Sequence, residues 1–312
     1  MKKISIVIPV YNSAECVSEL SEQIELSLKG ITYEQIMVND GSRDRSWAEI
    51  VKVSKKNKNV IGINLRKNFG QDNAIMAGLN NASGEYIVIM DDDLQHNPLD
   101  IIKLYKEIVK GYDVCYANFE KKNQALWKNF GSWLNGKFAE FLLNKPGDIY
   151  LSPFKIINMN VVKEIIKYNG PYPYVDGLIF QVTDNITQID VEHHKRFKGT
   201  SNYNLIKSLK VFMKLAVNFS AKPLMMASFL GFSFSMVGFI LGIYYILEYF
   251  FSQNIVEGWT TLVVLFLFIG GLILLSLGII GEYLGRTYLN INRLPQFIIK
   301  EKSGAPVNKK NI

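Results

Sequence analysis

Three adjacent carboxylates, Asp91-Asp92-Asp93, end the apolar run Glu85-Tyr-Ile-Val-Ile-Met90 and lead into Leu94-Gln95-His96-Asn97-Pro98. Like charges stacked at a strand end repel one another, and a bound cation relieves that repulsion. Alternate residues of an extended chain face the same side, so Asp91 and Asp93 can both meet one ion. Carboxylate oxygens suit a hard divalent cation such as Mg²⁺ or Mn²⁺, which commonly takes its remaining ligands from a substrate's phosphates. A bare aspartate triplet can also be a solvated acidic turn, so its setting decides between the two.

That setting is a run of alternating strands and helices. Ile4 to Val10 is a β-branched stretch suited to a buried parallel strand, followed by a helical stretch from Glu15 to Lys29. Strands are then predicted at Gln35 to Asn39, Val60 to Leu65, Glu85 to Met90 and Asp113 to Ala117. Helices are predicted at Ser46 to Lys56, near Asp72 to Asn81 and near Leu99 to Val109. The alternation predicts an α/β fold, a mostly parallel sheet with helices on both faces. Such sheets bind ligands beyond the carboxyl ends of their strands. Polar clusters fall at four of those ends: Pro9-Val10-Tyr11-Asn12, Asn39-Asp40-Gly41-Ser42, Arg66-Lys67-Asn68-Phe69-Gly70 and the aspartate triplet. One Asn-Asp-Gly-Ser is an ordinary turn, but four clusters along one edge point to a site. No Gly-x-Gly-x-x-Gly follows the first strand and there is no Walker motif, so the usual dinucleotide and P-loop fingerprints are absent.

Two uncharged apolar runs lie further on, 25 residues from Pro223 to Leu247 and 24 from Gly258 to Gly281. As helices they measure about 36–38 Å, enough to cross a hydrocarbon layer of ~30 Å. A buried soluble helix is the alternative for either run, but two in tandem, joined by a short link at Glu248 to Glu257, predict a transmembrane hairpin. Seven Lys/Arg and no acid occupy His193 to Lys222, six Lys/Arg and two acids occupy Glu282 to Ile312, and the link has no basic residue. The positive-inside rule then puts both flanks in the cytoplasm and the link outside. The net charge of +7 is concentrated where anionic headgroups lie. No nucleic-acid motif accompanies it, so nucleic acid is not an expected partner. Met1-Lys2-Lys3 precedes an apolar stretch, but Pro9 interrupts it and no small-residue cleavage site follows, so a signal peptide is not expected. Cys16 and Cys115 lack metal spacing and read as reduced thiols.

Read together, Ile6-Val-Ile-Pro-Val-Tyr-Asn12, Val38-Asn-Asp-Gly-Ser-Arg-Asp44, Asn68-Phe-Gly70 with Ala77-Gly78, Met90-Asp-Asp-Asp-Leu-Gln95 and Gly281-Glu-Tyr-Leu-Gly-Arg-Thr-Tyr288 carry a resemblance. The chain resembles the family 2 glycosyltransferases of GT-A fold, in the polyprenyl-phosphate branch that includes dolichol-phosphate mannose synthase and bactoprenol glucosyltransferases. The resemblance implies a GT-A domain at 1–200, an amphipathic juxtamembrane segment at 201–222, transmembrane helices at about 223–250 and 258–281 within 223–285, and a basic cytoplasmic tail at 286–312. It implies a multi-pass protein of the cytoplasmic membrane that forms homo-oligomers. Its activity would move a sugar from a nucleotide donor to undecaprenyl phosphate, for a cell-envelope glycan or glycolipid.

Residue by residue, the resemblance assigns Pro9, Tyr11, Asn12, Asp40, Gly41, Ser42, Asn68, Gly70 and Asp92 to the donor. Asp91, Asp93 and Gln95 would hold Mg²⁺ or Mn²⁺ on its diphosphate, and Asp91, Asp93 and Arg196 would be catalytic. Lys128, Ser132, Lys155, Arg196, Ser201 and Tyr203 would meet the acceptor phosphate. The chain departs from the family in two places. Asn202 replaces the Lys of an Arg-x-x-Gly-x-Ser-Lys-Tyr pattern, and Pro153-Phe154-Lys155 stands where many relatives have Asp-Phe-Arg. The missing carboxylate need not disable transfer to a phosphate, whose second ionisation near pH 6 leaves it anionic at neutral pH. Asp148 and Asp176 are the nearest other aspartates in sequence.

Amphipathic stretches at Gln124 to Leu143 and Asn204 to Lys222 would lie in the headgroup layer, with core packing as the alternative for the first. His96 reads as a polar neighbour of the metal motif or a ligand. A processive polysaccharide synthase would need more spans and a Gln-x-x-Arg-Trp motif, which this chain lacks. A transporter would need more than two spans. A membrane scaffold that binds nucleotide-sugar without catalysis is the alternative from outside enzymology. Uridine is the expected donor base, by likeness to bacterial members, and the sugar stays open.

Overall fold

The computed structural model describes residues 3–119, 149–191, scattered positions between 224 and 247, 258–292 and 294–304. The chain divides into two units, one of Met1–Asn204 with Arg293–Ile312 and one of Leu205–Asn292.

The first unit is built on an eight-stranded sheet of order β7-β5-β6-β4-β1-β2-β3-β8. Its centre is parallel. β1 (Ile4–Val10) lies between β2 (Tyr33–Asn39) and β4 (Tyr86–Ile89), and β3 (Val60–Leu65) follows β2. β5 (Val114–Phe119) and β7 (Ile186–Val191) also pair in parallel, while β6 (Lys155–Asn158) runs antiparallel between β4 and β5. The expected α/β layering, with a mostly parallel sheet, is therefore present.

Burial explains why these runs became strands. Every residue of β1, β2 and β3 is buried, the state that favours β-branched residues with no polar alternation. On one face Ile4, Ile6, Ile8 and Val10 pack with Val17, Leu20 and Ile24 of α1 (Ala14–Ser27) and with Ile101, Leu104 and Ile108 of α4 (Asp100–Ile108). Each such side chain contributes at most about 1.5–3 kcal/mol. α2 (Ser46–Lys56) adds Ile50 and Val53 to this core. On the opposite face α3 (Gln71–Leu79) is buried from Asn73 to Leu79. It approaches the sheet so closely that a Cβ on Gly78 would lie 2.3 Å from Val7 Cγ1. α5 (Met159–Ile165) and α6 (Val175–Val182) are the remaining helices among the described residues of this unit. Cys16 and Cys115 are not joined in a disulfide, and burial pushes the Cys115 pKa up to about 12.

The segment 286–312 is not a tail throughout. Ile299–Gly304 forms β8, antiparallel to β3, and Arg66 N donates to Ile298 O at 2.9 Å. The physical reason is the otherwise open edge of β3, whose unpaired backbone groups need partners. Side chains reinforce the pairing: Ser54 with Ser303 (2.6 Å), Asn64 Nδ2 to Glu301 Oε1 (2.8 Å) and Lys302 Nζ to Asn81 Oδ1 (2.6 Å).

In the second unit α7 runs from Trp259 to Ile291, 33 residues without a break. Phe268–Leu289, with mean hydropathy 1.8, is long and apolar enough to cross a membrane, the one such stretch among the described residues. The helix continues ten residues beyond the end expected at Gly281, because no proline interrupts it before Pro295. The described positions between 224 and 247 are helical. The expected amphipathic stretches at 124–143 and 204–222, and the link at 248–257, lie outside the described residues.

Candidate active site

The carboxyl ends of β1 to β4 meet at one edge of the sheet, and their loops are tied together by side chains. After β1 the chain turns at Asn12, whose φ of +54° lies in the left-handed region that asparagine tolerates better than most residues. Asn12 N donates to Ser42 Oγ (3.0 Å) and Asn12 Oδ1 accepts from Arg43 N (2.9 Å). The β1 and β2 loops are thereby joined.

Asp40, 3% exposed, directly follows β2. Its two carboxylate oxygens accept from Phe69 N (2.7 Å) and Gly70 N (2.9 Å). Burial raises the Asp40 pKa, and these two neutral donors only partly offset it, leaving it above the ordinary value. Gly41, at φ +63°, lets the β3 loop rest on it: a Cβ there would be 2.5 Å from Asn68 N.

The β3 loop ends at Gly70 (φ +94°), and α3 begins at Gln71. Gln71 Nε2 donates to Asp91 Oδ1 at 2.8 Å. Asp92 Oδ2 accepts from Tyr11 N at 3.1 Å. Burial, and then the neighbouring Asp93 charge, hold the Asp92 pKa above the ordinary range despite its hydrogen bonds. Asp93 Oδ1 accepts from Gln95 N (3.2 Å), closing a turn that places Leu94 at φ +60°. A leucine rarely adopts that conformation, so the turn carries local strain. His96 is buried between the rings of Phe119 and Phe154, with centroids 5.4 and 5.0 Å away. Its Nδ1 accepts from Asp91 N at 3.3 Å, so it fixes the start of the triplet through the backbone.

A cavity of about 410 Å³ opens along this edge, lined by Pro9, Tyr11, Asp40, Asn68, Gly70 and all three aspartates, together with Val10, Ser13 and Gln71. Eight of the residues predicted for donor and metal thus line one cavity. Asn12 and Ser42 brace its loops, and Gly41 lies beneath one of them. Among the described residues no three His, Cys, Asp or Glu side chains converge on one ion position. Oxygen donors from Asp91 and Asp93 fit a hard divalent ion that draws its other ligands from a bound diphosphate. The hydrogen bonds from Gln71 Nε2 and Gln95 N orient these two groups.

Lys155, predicted at the acceptor phosphate, instead has its ammonium paired with Asp176 Oδ1 on α6, with side-chain exposures of 4% and 15%. The same oxygen accepts from Tyr116 OH (2.8 Å), and the ammonium lies 5.1 Å from the Tyr116 ring centroid. Burial and the Asp176 charge push the Tyr116 pKa well above the ordinary range. Lys155 pairs with Ile89 across β4 and β6. Lys128, Ser132, Arg196, Ser201 and Tyr203 lie outside the described residues, as does Asp148.

Sequence reasoning missed Gln71 and the role of Asp176. The only signal for Gln71 was its position directly after the Gly70 that starts a helix at the strand edge.

Known proteins share this chain's sequence and fold. The chain is 31% identical over 303 residues (96% of it, 94% of the relative) to a protein named "uncharacterized glycosyltransferase YkcC" in Bacillus subtilis. It is 30% identical to undecaprenyl-phosphate 4-deoxy-4-formamido-L-arabinose transferase of Yersinia enterocolitica, covering 100% of this chain and 97% of that one. In fold it is similar to glucosyl-3-phosphoglycerate synthase of Mycobacterium tuberculosis, solved with Mn²⁺, UDP-glucose and phosphoglyceric acid. The TM-score is 0.53 at 15% identity, over 71% of this chain and 79% of that one. The sequence profile described as "Glycosyl transferase family 2" matches residues 5–166: the chain belongs to glycosyl transferase family 2 and is a glycosyltransferase.

Proposed function

We propose that this protein transfers a sugar from a nucleotide-sugar, with uridine as the expected base, to undecaprenyl phosphate at the cytoplasmic membrane, with inversion. The observation that carries the reading is the cavity that joins the Asp40 cluster to the aspartate triplet. It offers a nucleoside end and a diphosphate end on one rigid edge. The Yersinia relative, aligned along the whole chain, supports the acceptor class.

A divalent ion at Asp91, Asp93 and Gln95 supplies Lewis acidity to the leaving diphosphate when bound. The chain's own residues supply the rest. Asp40 fixes the loop from Asn68 to Gly70 beside the donor, and Tyr11 N and His96 hold the triplet's backbone and side chains in place. Lys128, Ser132, Arg196, Ser201 and Tyr203 would hold the acceptor phosphate in line with the anomeric carbon, and Arg196 can do so without surrendering a proton. Lys155 supports that side through Asp176. Pro153, where many relatives carry an aspartate, is compatible with an acceptor that needs no base, since a phosphomonoester is already ionised near pH 7.

Chain connectivity supports an even number of membrane crossings. β8 follows α7 in sequence yet belongs to the sheet formed by residues 4–191. A chain that leaves that domain and returns to it must cross twice if it crosses at all, so the run at 223–247 would be the second helix of a hairpin. Both basic flanks would then be cytoplasmic. Self-association is part of the same proposal.

The test is nucleoside diphosphate release by the purified, detergent-solubilised protein with undecaprenyl phosphate, Mg²⁺ or Mn²⁺, and a panel of UDP- and GDP-sugars. Lipid-dependent release from one donor is expected. Asp93→Asn should lower it by about a thousandfold, some 4 kcal/mol of transition-state stabilisation. Nucleotide binding without release from any donor would overturn the transferase reading in favour of a scaffold.

A further inference from the structure

We propose that Gln71 is a positioning residue for the cation, acting through Asp91. This inference rests on the metal role proposed above and extends it to a side chain outside the metal motif.

Gln71 is exposed, yet its amide is committed to Asp91 Oδ1 at 2.8 Å. Fixing an exposed glutamine opposes about 1.5–2 kcal/mol of rotamer entropy, so the contact needs a rigid base. The structure provides one. Phe69 N and Gly70 N are held by Asp40, and Asn73 Nδ2 donates to Phe69 O (2.8 Å) and to Pro171 O (3.3 Å). Gln296 Nε2 in turn holds that second loop through Tyr168 O (3.3 Å) and Gly170 O (3.1 Å). The first turn of α3 is therefore anchored on both sides of Gln71.

The chemistry of the donor matters as much as its position. An amide N–H orients a carboxylate and leaves its full negative charge for a cation. A lysine or arginine at the same place would neutralise Asp91 and repel the ion. Asp40 and Asp91 also grip the same short piece of chain, Phe69 to Gln71, one by its backbone and the other by its side chain. Binding at the nucleoside end and at the metal end should consequently be coupled, each strengthening the other to the same degree.

The experiment measures Mn²⁺ binding directly, by the electron paramagnetic resonance signal of free Mn²⁺, on the full-length solubilised protein with and without UDP. Wild type is compared with Gln71→Leu, which keeps the bulk, and Gln71→Asn, which keeps an amide one methylene too short. Both variants should bind Mn²⁺ in the presence of UDP about tenfold or more weakly, and UDP should tighten Mn²⁺ less than in wild type. UDP affinity without metal should fall far less than Mn²⁺ affinity, which separates loss of positioning from loss of fold. In turnover, the Mn²⁺ concentration for half-maximal rate should rise more than the rate at saturating Mn²⁺ falls. Wild-type Mn²⁺ affinity in both variants would overturn the role of Gln71 alone. Failure of the wild type itself to bind Mn²⁺ with UDP would overturn the metal role and this inference with it.

Discussion

Strand β2 carries a buried carboxylate at each end, and the two are treated in opposite ways. Glu34, near its start, accepts from Lys3 Nζ (2.7 Å), Ser5 Oγ, Ser83 N (2.7 Å) and Ser83 Oγ. Burial alone would raise its pKa, but the Lys3 ammonium, the Ser5 hydroxyl and the Ser83 N–H together hold it below the ordinary value of 4.5. Asp40, just past the other end, has two backbone N–H donors and a pKa pushed above its ordinary value of 3.8. One edge of the sheet closes its charge with a cation of its own and serves stability. The other edge holds Asp40 and Asp92 with neutral donors, and burial keeps both carboxyl groups above their ordinary range. The Lys155–Asp176–Tyr116 cluster lies on the functional half of the sheet but is compensated in the manner of Glu34, which marks it as support for the site.

The sharpest way to break this comparison is to remove the internal cation. Lys155→Met would leave Asp176 with only Tyr116 to satisfy a mostly buried charge. Losing one member of such a pair destabilises by about 3–5 kcal/mol. Chemical unfolding of the solubilised protein should show that loss, and the double variant Lys155→Met/Asp176→Leu should recover most of it. A harmless single variant would mean that Asp176 is not compensated by Lys155. A smaller effect of a different kind is expected at Asp40. Asparagine there keeps one acceptor oxygen for two N–H groups. Loss of one hydrogen bond to a charged acceptor, about 1.5–3 kcal/mol, should weaken UDP binding tenfold or more, as read by calorimetry. Thermal stability should change little, because the ionised Asp40 is itself unfavourable in the folded protein.

The same division governs what could be read from the sequence. β1 to β4 and their polar ends are local signals, and the triplet, Asp40, Tyr11, Asn68 and Gly70 do meet at one cavity. β8 is the opposite case. Its residues Ile-Lys-Glu-Lys-Ser-Gly are charged and largely exposed, with no apolar alternation to announce a strand, and only the open edge of β3 recruits them. The setting of Lys155 was hidden for a related reason. A lysine near a family motif reads as a phosphate ligand, but its burial depends on Tyr116 and Asp176, neither of them its neighbour in sequence. Gln71 carries no type signal at all, since a glutamine at the first turn of a helix is ordinary, and its role exists only because Asp91 is opposite.

The finest test of the comparison is the sign of a pH effect at the two ends of β2. A carboxylate depressed below its ordinary value contributes stability that is complete above that value and is lost as pH falls through the native one. Glu34 is of this kind, so Glu34→Gln should lower stability at neutral pH by about 1–2 kcal/mol, its hydrogen bonds surviving only in part. The deficit should shrink as pH falls below 4.5, where wild-type Glu34 loses its own advantage. Asp40 has the opposite sign: its raised pKa means that stability is lost as pH rises from 3.8 through the native value. Asp40→Asn should therefore remove a loss where Glu34→Gln removes a gain. Thermal unfolding of the three proteins between about pH 2.5 and 7 would measure both slopes, and UDP affinity should fall in the Asp40 variant alone. Parallel slopes, or a loss of UDP binding on changing Glu34, would mean that the two edges of this sheet do not divide stability from function.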